Sequence, residues 1–378
     1  MIIARMDNNI QAFFSFLRSG LWEKDAQLRS EEKIDYSYIY QLAEEQAVLG
    51  LVAAGVEHLK GVKVPQDIAL TFAGSTLQLE QRNVAMDSFI AKLVGRMRTA
   101  GIYTILLKGQ GIAQCYERPL WRACGDVDFY LRQDNYNKAK EYLTQIASDV
   151  EIEREDNLHL GMTIDSWVVE LHGSLRCGLS NRLDKGLDEV QEDIIYNGSV
   201  RSWINGGTQV FLPRVDEDAI YVFTHILEHF FKGGIGLRQI CDWCRLLWTY
   251  KDSLNYGLLE SRIQEMRLMT EWKAFAAMVV DYLGMPAEAM PLYSSEKKWS
   301  KKGEKICAFV MEVGNFGHNR DNSYHAKHPF LIRKIYSFGR RCGDLIRHAR
   351  IFPLDSLRFF PYMMYNGLKA VLNGVHKD

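Results

Sequence analysis

The stretch from Leu106 to Leu131, LLKGQGIAQCYERPLWRACGDVDFYL, constrains the fold of this chain more than any other. An apolar run from Tyr103 to Leu107 ends in Lys108-Gly109-Gln110-Gly111, and a helical pattern restarts at Ile112. A short apolar run that ends in glycines reads as a strand entering a tight turn. Glycine lets the backbone approach a ligand closely, and the start of the next helix offers unpaired N–H groups to phosphate. Many such turns hold glycine for packing alone, so both readings stand at this point. Gly125-Asp126-Val127-Asp128 then opens a run to Leu131 that suits a strand. Residues i and i+2 of a strand share a face, so Asp126 and Asp128 present two carboxylates together. Like charges held side by side raise each other's cost of ionisation unless a cation lies between them. Mg²⁺ is the expected cation, because it takes hard oxygen ligands and shares its shell with phosphates. The alternative is a solvated strand edge. Val127, Phe129 and Leu131 make the far side apolar and favour an interior strand.

A third acid sharpens the pattern. Glu170 sits alone in the apolar run Trp167-Val168-Val169-Glu170-Leu171-His172. An acid in a buried strand is costly without a cationic partner. Three carboxylates on two neighbouring strands, opposite a glycine turn, can hold two metals on a triphosphate. Around this core the chain divides into three. Residues 1–101 read as helical: Phe89, Ile90, Leu93, Val94 and Met97 form a buried face that closes at Gly101. Val62 to Pro65 reads as a linker before that long helix. Residues 102–213 alternate strands and helices, with a helix over 135–146, a strand over 167–175 and a hairpin over 202–212 that turns at Asn205-Gly206-Gly207. Residues 214–378 return to helix. Ile220 to Phe230 and Leu237 to Trp248 have helical spacing, Leu258 to Leu283 reads as one long helix, and the lysine- and serine-rich segment 294–305 reads as a solvated loop.

The order of strand, glycine turn, helix, D-x-D strand and acidic strand resembles the polymerase-β-like nucleotidyltransferase superfamily. Leu107-Lys108-Gly109, followed by Tyr116, Arg122 and Gly125-Asp126-Val127-Asp128, is similar to a bacterial nucleotidyltransferase family with Lys-Gly in its first motif. His225-Ile226-Leu227-Glu228-His229, Leu237-Arg238 and Asp242-Trp243 match that family's later helical signature. The resemblance spans about residues 75–250. It implies an α+β fold, with a mixed-sheet nucleotidyltransferase core flanked by N- and C-terminal helical regions. It also implies Mg²⁺ and transfer of a nucleoside monophosphate from an NTP donor to an acceptor, either a small molecule or a macromolecule. By position, Asp126, Asp128 and Glu170 would be the catalytic and metal-binding acids. Lys108, Gly109, Gln110 and Arg122 would bind the nucleotide, and His172, His225, His229 and Arg238 would offer an acceptor pocket.

Other candidates carry less. His225 and His229 have the spacing of a zinc pair but no HExxH pattern and no obvious third ligand, so packing or an acceptor pocket is the better reading. Cys241 and Cys244 form a CxxC without a second pair and read as buried small residues. His318, His325 and His328 read as surface residues in a polar loop. Lys plus Arg total 46 and Asp plus Glu 47, which gives no strong nucleic-acid signal for the whole chain. Composition is 47% hydrophobic and 25% charged, that of an ordinary globular protein. No signal peptide and no apolar run of the ~18 residues a spanning helix needs is found, so the expected location is cytoplasmic. The segment 320–378 holds eleven Lys/Arg against four Asp/Glu, with many aromatics. It reads first as a helical tail docked by its aromatics, and second as a contact for an anionic membrane surface or an acidic partner. Two other functional readings are open: a binding module that keeps the fold without turnover, and a peripheral membrane or scaffold protein.

Overall fold

A computed structural model describes residues 7–28, 34–61, 64–154, 157–196, 200–317, 319 and 330–372. Val62, Lys63, His318, His325 and His328 lie outside the described residues. Among the described residues four helices precede the first strand: α1 (Asn8–Trp22), α2 (Tyr36–Glu45), α3 (Leu49–Glu57) and α4 (Gln66–Thr99). The middle of the chain holds β1 (Ile105–Leu107), α5 (Gly109–Ala113), β2 (Val127–Tyr130), α6 (Gln133–Thr144), β3 (Asp149–Val150), β4 (His159–Ile164), β5 (Trp167–His172), α7 (Asn181–Tyr196), β6 (Arg201–Asn205) and β7 (Thr208–Leu212). Helices follow: α8 (Val215–Lys232), α9 (Leu237–Thr249), α10 (Tyr256–Glu265), α11 (Met269–Leu283), α12 (Lys297–Val313), α13 (Phe330–Ala349) and α14 (Pro353–Leu372). The fold is α+β, a mixed sheet flanked by helices, as the resemblance implies.

The sheet has seven strands in the order β3-β4-β5-β2-β1-β7-β6. At its centre β2 runs antiparallel to β1 and parallel to β5. Alternation along these strands divides two environments. Val127 and Phe129 of β2, Val169 and Leu171 of β5, and Leu160 and Met162 of β4 share one buried cluster with Met86, Phe89, Ile90 and Leu93 of α4 and with α6. The intervening residues Asp128, Glu170, His172 and His159 therefore face the other way. A larger core formed by α1, α3, α8, α9, α11 and α12 lies on that side.

Two expectations are corrected. The single helix expected over 258–283 is two, α10 and α11, because Arg267 adopts φ 51°. Leu268 N–H donates to Ile263 O at 2.8 Å and Arg267 N–H to Gln264 O at 2.9 Å, a left-handed helix stop of Schellman type. Glycine usually marks such a stop; an arginine there leaves no sign in the sequence. The expected loop at 294–305 largely becomes α12. Lys297, Lys298, Lys301 and Lys305 lie on the outer face, Lys302 reaches back to Ile351 O, and Trp299, Gly303, Ile306, Cys307 and Val310 form a buried stripe.

The N-terminal helices cross at backbone distance. A Cβ added at Gly20 would sit 1.8 Å from Leu51 O, and one at Gly55 would sit 1.9 Å from Phe16 O. Alanine improves helix propensity by about 1 kcal/mol, but the backbone overlap outweighs it. Gly55→Ala is expected to destabilise the protein by about 2–3 kcal/mol, the upper part of the overpacking range, as read by chemical denaturation. Unchanged stability would show that α1 and α3 are not in backbone contact.

Candidate active site

The site is built by the register of three strands. Asp128 on β2 lies directly beside Glu170 on β5, and His172 two residues on lies opposite His159 of β4. Asp126, just before β2, completes the set: the ligand atoms of Asp126, Asp128 and Glu170 all lie within 4.8 Å of one another. Leu107, the last residue of β1, pairs with Asp128, so the next residue, Lys108, is delivered to the same place. Lys108 Nζ lies 3.1 Å from Asp128 Oδ1. Its backbone is strained at φ 49°, ψ −142°, and Gly109 follows at φ 46°. A non-glycine residue held in such a region is a cost that tends to mark functional sites. The two turn glycines differ in cause. Gly109 serves the backbone sign, whereas a Cβ on Gly111 would meet Leu212 Cδ2 at 2.6 Å, so Gly111 serves packing.

Burial and pairing set the charges. The neighbouring Asp128 carboxylate, with burial, lifts Asp126 above the usual acid range, against the pull of Lys108. Burial alone would lift Asp128 too. The Lys108 ammonium and the hydrogen bond from His172 Nε2, at 2.9 Å, outweigh it and hold Asp128 low. Burial opposes ionisation of Glu170 as well, but bonds from His159, at 3.0 Å, and His172 hold it well below the carboxylate range. Burial would lower Lys108, yet Asp128, Tyr221, Asp126 and Glu170 together raise it. His172 is likewise raised, because its bonds to Asp128 and Glu170 outweigh burial.

A cavity of about 370 Å³ opens over these residues, and its far wall comes from α8 and α9. His225 Nε2 lies 3.2 Å from Lys108 Nζ and 3.0 Å from His229 Nε2. Burial and the Lys108 charge lower His225; burial and His225 push His229 down to about 3. Both are therefore neutral imidazoles at neutral pH. Arg238 also lines the cavity, and its Nη1 donates to Ala123 O at 3.2 Å.

Two expected site residues sit differently. Gln110 is absent from the cavity wall: α5 turns its buried amide toward Asp87 of α4, to which it donates. Arg122 borders the cavity with two of its three guanidinium nitrogens engaged by one carboxylate. Its Nε and Nη2 donate to Asp242 Oδ1 and Oδ2 at 3.0 and 2.6 Å, and Tyr116 OH donates to the same carboxylate at 2.8 Å. His159, Tyr221 and Glu228 also line the cavity and were missed in the sequence. His159 carried a signal: it opens the apolar run His159 to Ile164, in the same phase as the acid-bearing strand. Cys241 and Cys244 lie fully buried in the core, with thiols pushed up by burial.

The Arg122–Asp242 pair bridges the loop before β2 and helix α9, with side chains 3% and 5% exposed. Removing one partner of a buried pair strands the other charge. Asp242→Ala and Arg122→Ala are each expected to cost about 3–5 kcal/mol in denaturant titration, and the double variant less than their sum. Additive losses would show that the two do not act as a pair.

No curated protein matches the chain. Among solved structures, an antigenic nucleotidyltransferase-like protein from Paracoccidioides brasiliensis is 12% identical, with a TM-score of 0.32, and the match covers 53% of this chain and 92% of that one. A family model described as uncharacterised nucleotidyltransferase matches residues 32–284, which include all seven strands of the described sheet and the cavity floor. The chain belongs to this uncharacterised nucleotidyltransferase family.

Proposed function

We propose that the protein is a Mg²⁺-dependent nucleotidyltransferase that moves a nucleoside monophosphate from an NTP to an acceptor hydroxyl. The observation that carries this reading is the convergence of Asp126, Asp128 and Glu170 in a cavity of a nucleotidyltransferase-family chain. Three carboxylates within 4.8 Å are a hard-oxygen donor set, which fits Mg²⁺. The bound ions would supply charge neutralisation on the phosphates and a more acidic attacking hydroxyl. Lys108, freed from Asp128, binds the β- and γ-phosphates as a point charge, and the Gly109 turn leaves room for them. The acceptor oxygen attacks the α-phosphorus, its proton passes to solvent, and the bond to pyrophosphate breaks, with Glu170 as a metal ligand. His172 keeps Glu170 ionised and oriented. His225, His229 and Arg238 form the wall on which the acceptor is held. A cavity of about 370 Å³ is within the ~300–1,000 Å³ usual for small-ligand sites. We place the reaction in the cytoplasm, in keeping with seven unpaired cysteines.

One observation favours a second reading, a nucleotide- or partner-binding module without turnover. Lys108 and His172 already balance Asp128 and Glu170 without a metal, and His159 Nε2 occupies a further Glu170 oxygen contact at 3.0 Å.

Calorimetric titration of ATP, GTP, CTP and UTP, with and without Mg²⁺, tests the donor site. We expect Mg²⁺-dependent binding of at least one NTP, weakened more than about tenfold by Asp126→Asn/Asp128→Asn, since one tenfold step is only ~1.4 kcal/mol. Binding that ignores both metal and variant would falsify the site. Pyrophosphate release during incubation with candidate acceptors separates the enzyme from the binding module.

A further inference from the structure

Helices α13 and α14 pack against each other outside the cavity. One face of α14 docks on the core: Phe359 and Met363 are buried, and Asp355 pairs with Arg182 at 2.7 Å. The opposite face does not dock. Leu354, Leu357, Met364 and Tyr365 fall at i, i+3, i+10 and i+11, one side of a helix, and are 63%, 70%, 40% and 66% exposed. On α13, Tyr336 is 54% and Ile346 59% exposed. Among the described residues, nine of the twenty exposed large apolar side chains lie on these two helices. A helix that only covers a core needs one apolar stripe, and α14 has two.

Charge is concentrated in the same place. Residues 330–372 hold eight Lys/Arg against two Asp/Glu, in a chain whose formal net charge is −1. Arg347 and Arg358 pair with Glu312 and Asp355, so part of this charge is balanced locally. With Glu312 counted, eight basic residues face three acids, a net excess of five. Exposed aliphatic side chains among basic ones suit an interface that is both apolar and anionic. A nucleic acid would meet the charges but has no use for Leu354, Leu357 and Ile346. An acidic peptide would bury few of them.

We propose that α13 and α14 dock the protein on an anionic lipid surface, with the Leu354–Tyr365 stripe laid into the headgroup region. Among the described residues no helix is long and apolar enough to cross a membrane, so the contact is interfacial. This does not depend on nucleotidyl transfer.

Vesicle flotation of the full chain tests it, with phosphatidylcholine alone and with phosphatidylcholine mixed with phosphatidylglycerol. The protein is expected to float with the mixed vesicles only. Leu357→Ser/Tyr365→Ser, which changes two exposed side chains and should keep its circular dichroism and melting temperature, is expected to cut the bound fraction about tenfold. No flotation, equal flotation on both lipids, or a variant that floats like the parent would overturn the proposal. So would a concentration-dependent dimer by light scattering that the variant abolishes, since a second copy would then cover the face. Binding to single-stranded RNA without vesicle binding would overturn it in favour of a nucleic-acid surface.

Discussion

The parallel pairing of β2 with β5 is the constraint on which the site depends. It sets Asp128 beside Glu170 and, at the same time, Val127 beside Val169 and Phe129 beside Leu171. Because side chains alternate, the same register that buries the apolar residues against α4 fixes which residues face the cavity. A slip of one position would send both acids into the apolar cluster, at a cost far above what burial could return. Folding of the sheet and assembly of the acids are thus one event. The spacing of the acids is protected by the hydrophobic effect as much as by any hydrogen bond within the site.

That arrangement leaves a concentration of negative charge to be managed. Three acids converge, and the chain answers with Lys108, just past β1, and His172 from β5, while His159 from β4 adds a hydrogen-bond contact to Glu170. Lys108 is delivered by the pairing of β1 with β2 and His172 by the pairing of β5 with β2, so the strand pairing that gathers the acids also supplies their counter-charge. Lys108 takes a strained backbone conformation to do so. The outer wall is balanced separately: Arg122 and Asp242 neutralise each other below the surface, leaving Arg238 at the cavity.

Much of this was legible in the sequence, and for physical reasons. Strand alternation and the glycine turn are local signals, so the strands bearing Asp128 and Glu170 could be read from residues a few positions apart. What escaped needed three-dimensional knowledge or an unmarked exception. The stop at Arg267 uses a left-handed residue without glycine, and α12 carries enough surface lysine to resemble a loop. Gln110 turns toward α4 because a five-residue helix rotates successive side chains by about 100° each, a phase that a motif does not state. Arg122 is taken up by Asp242, 120 residues away in sequence, which no local pattern links to it. His159 joins the site only through the pairing of β4 with β5.

The cavity has two walls of different origin. The floor belongs to the sheet and is locked by register, whereas the roof belongs to α8 and α9 and rests on helix packing. Substitutions on the inner side of α8, at Tyr221, His225, Glu228 or His229, would reshape the roof without moving a single strand pair. Descendants of such a chain could change what they accept while inheriting the acidic floor intact. Diversification in this architecture would therefore proceed mainly through one helix face, with the sheet as the invariant inheritance.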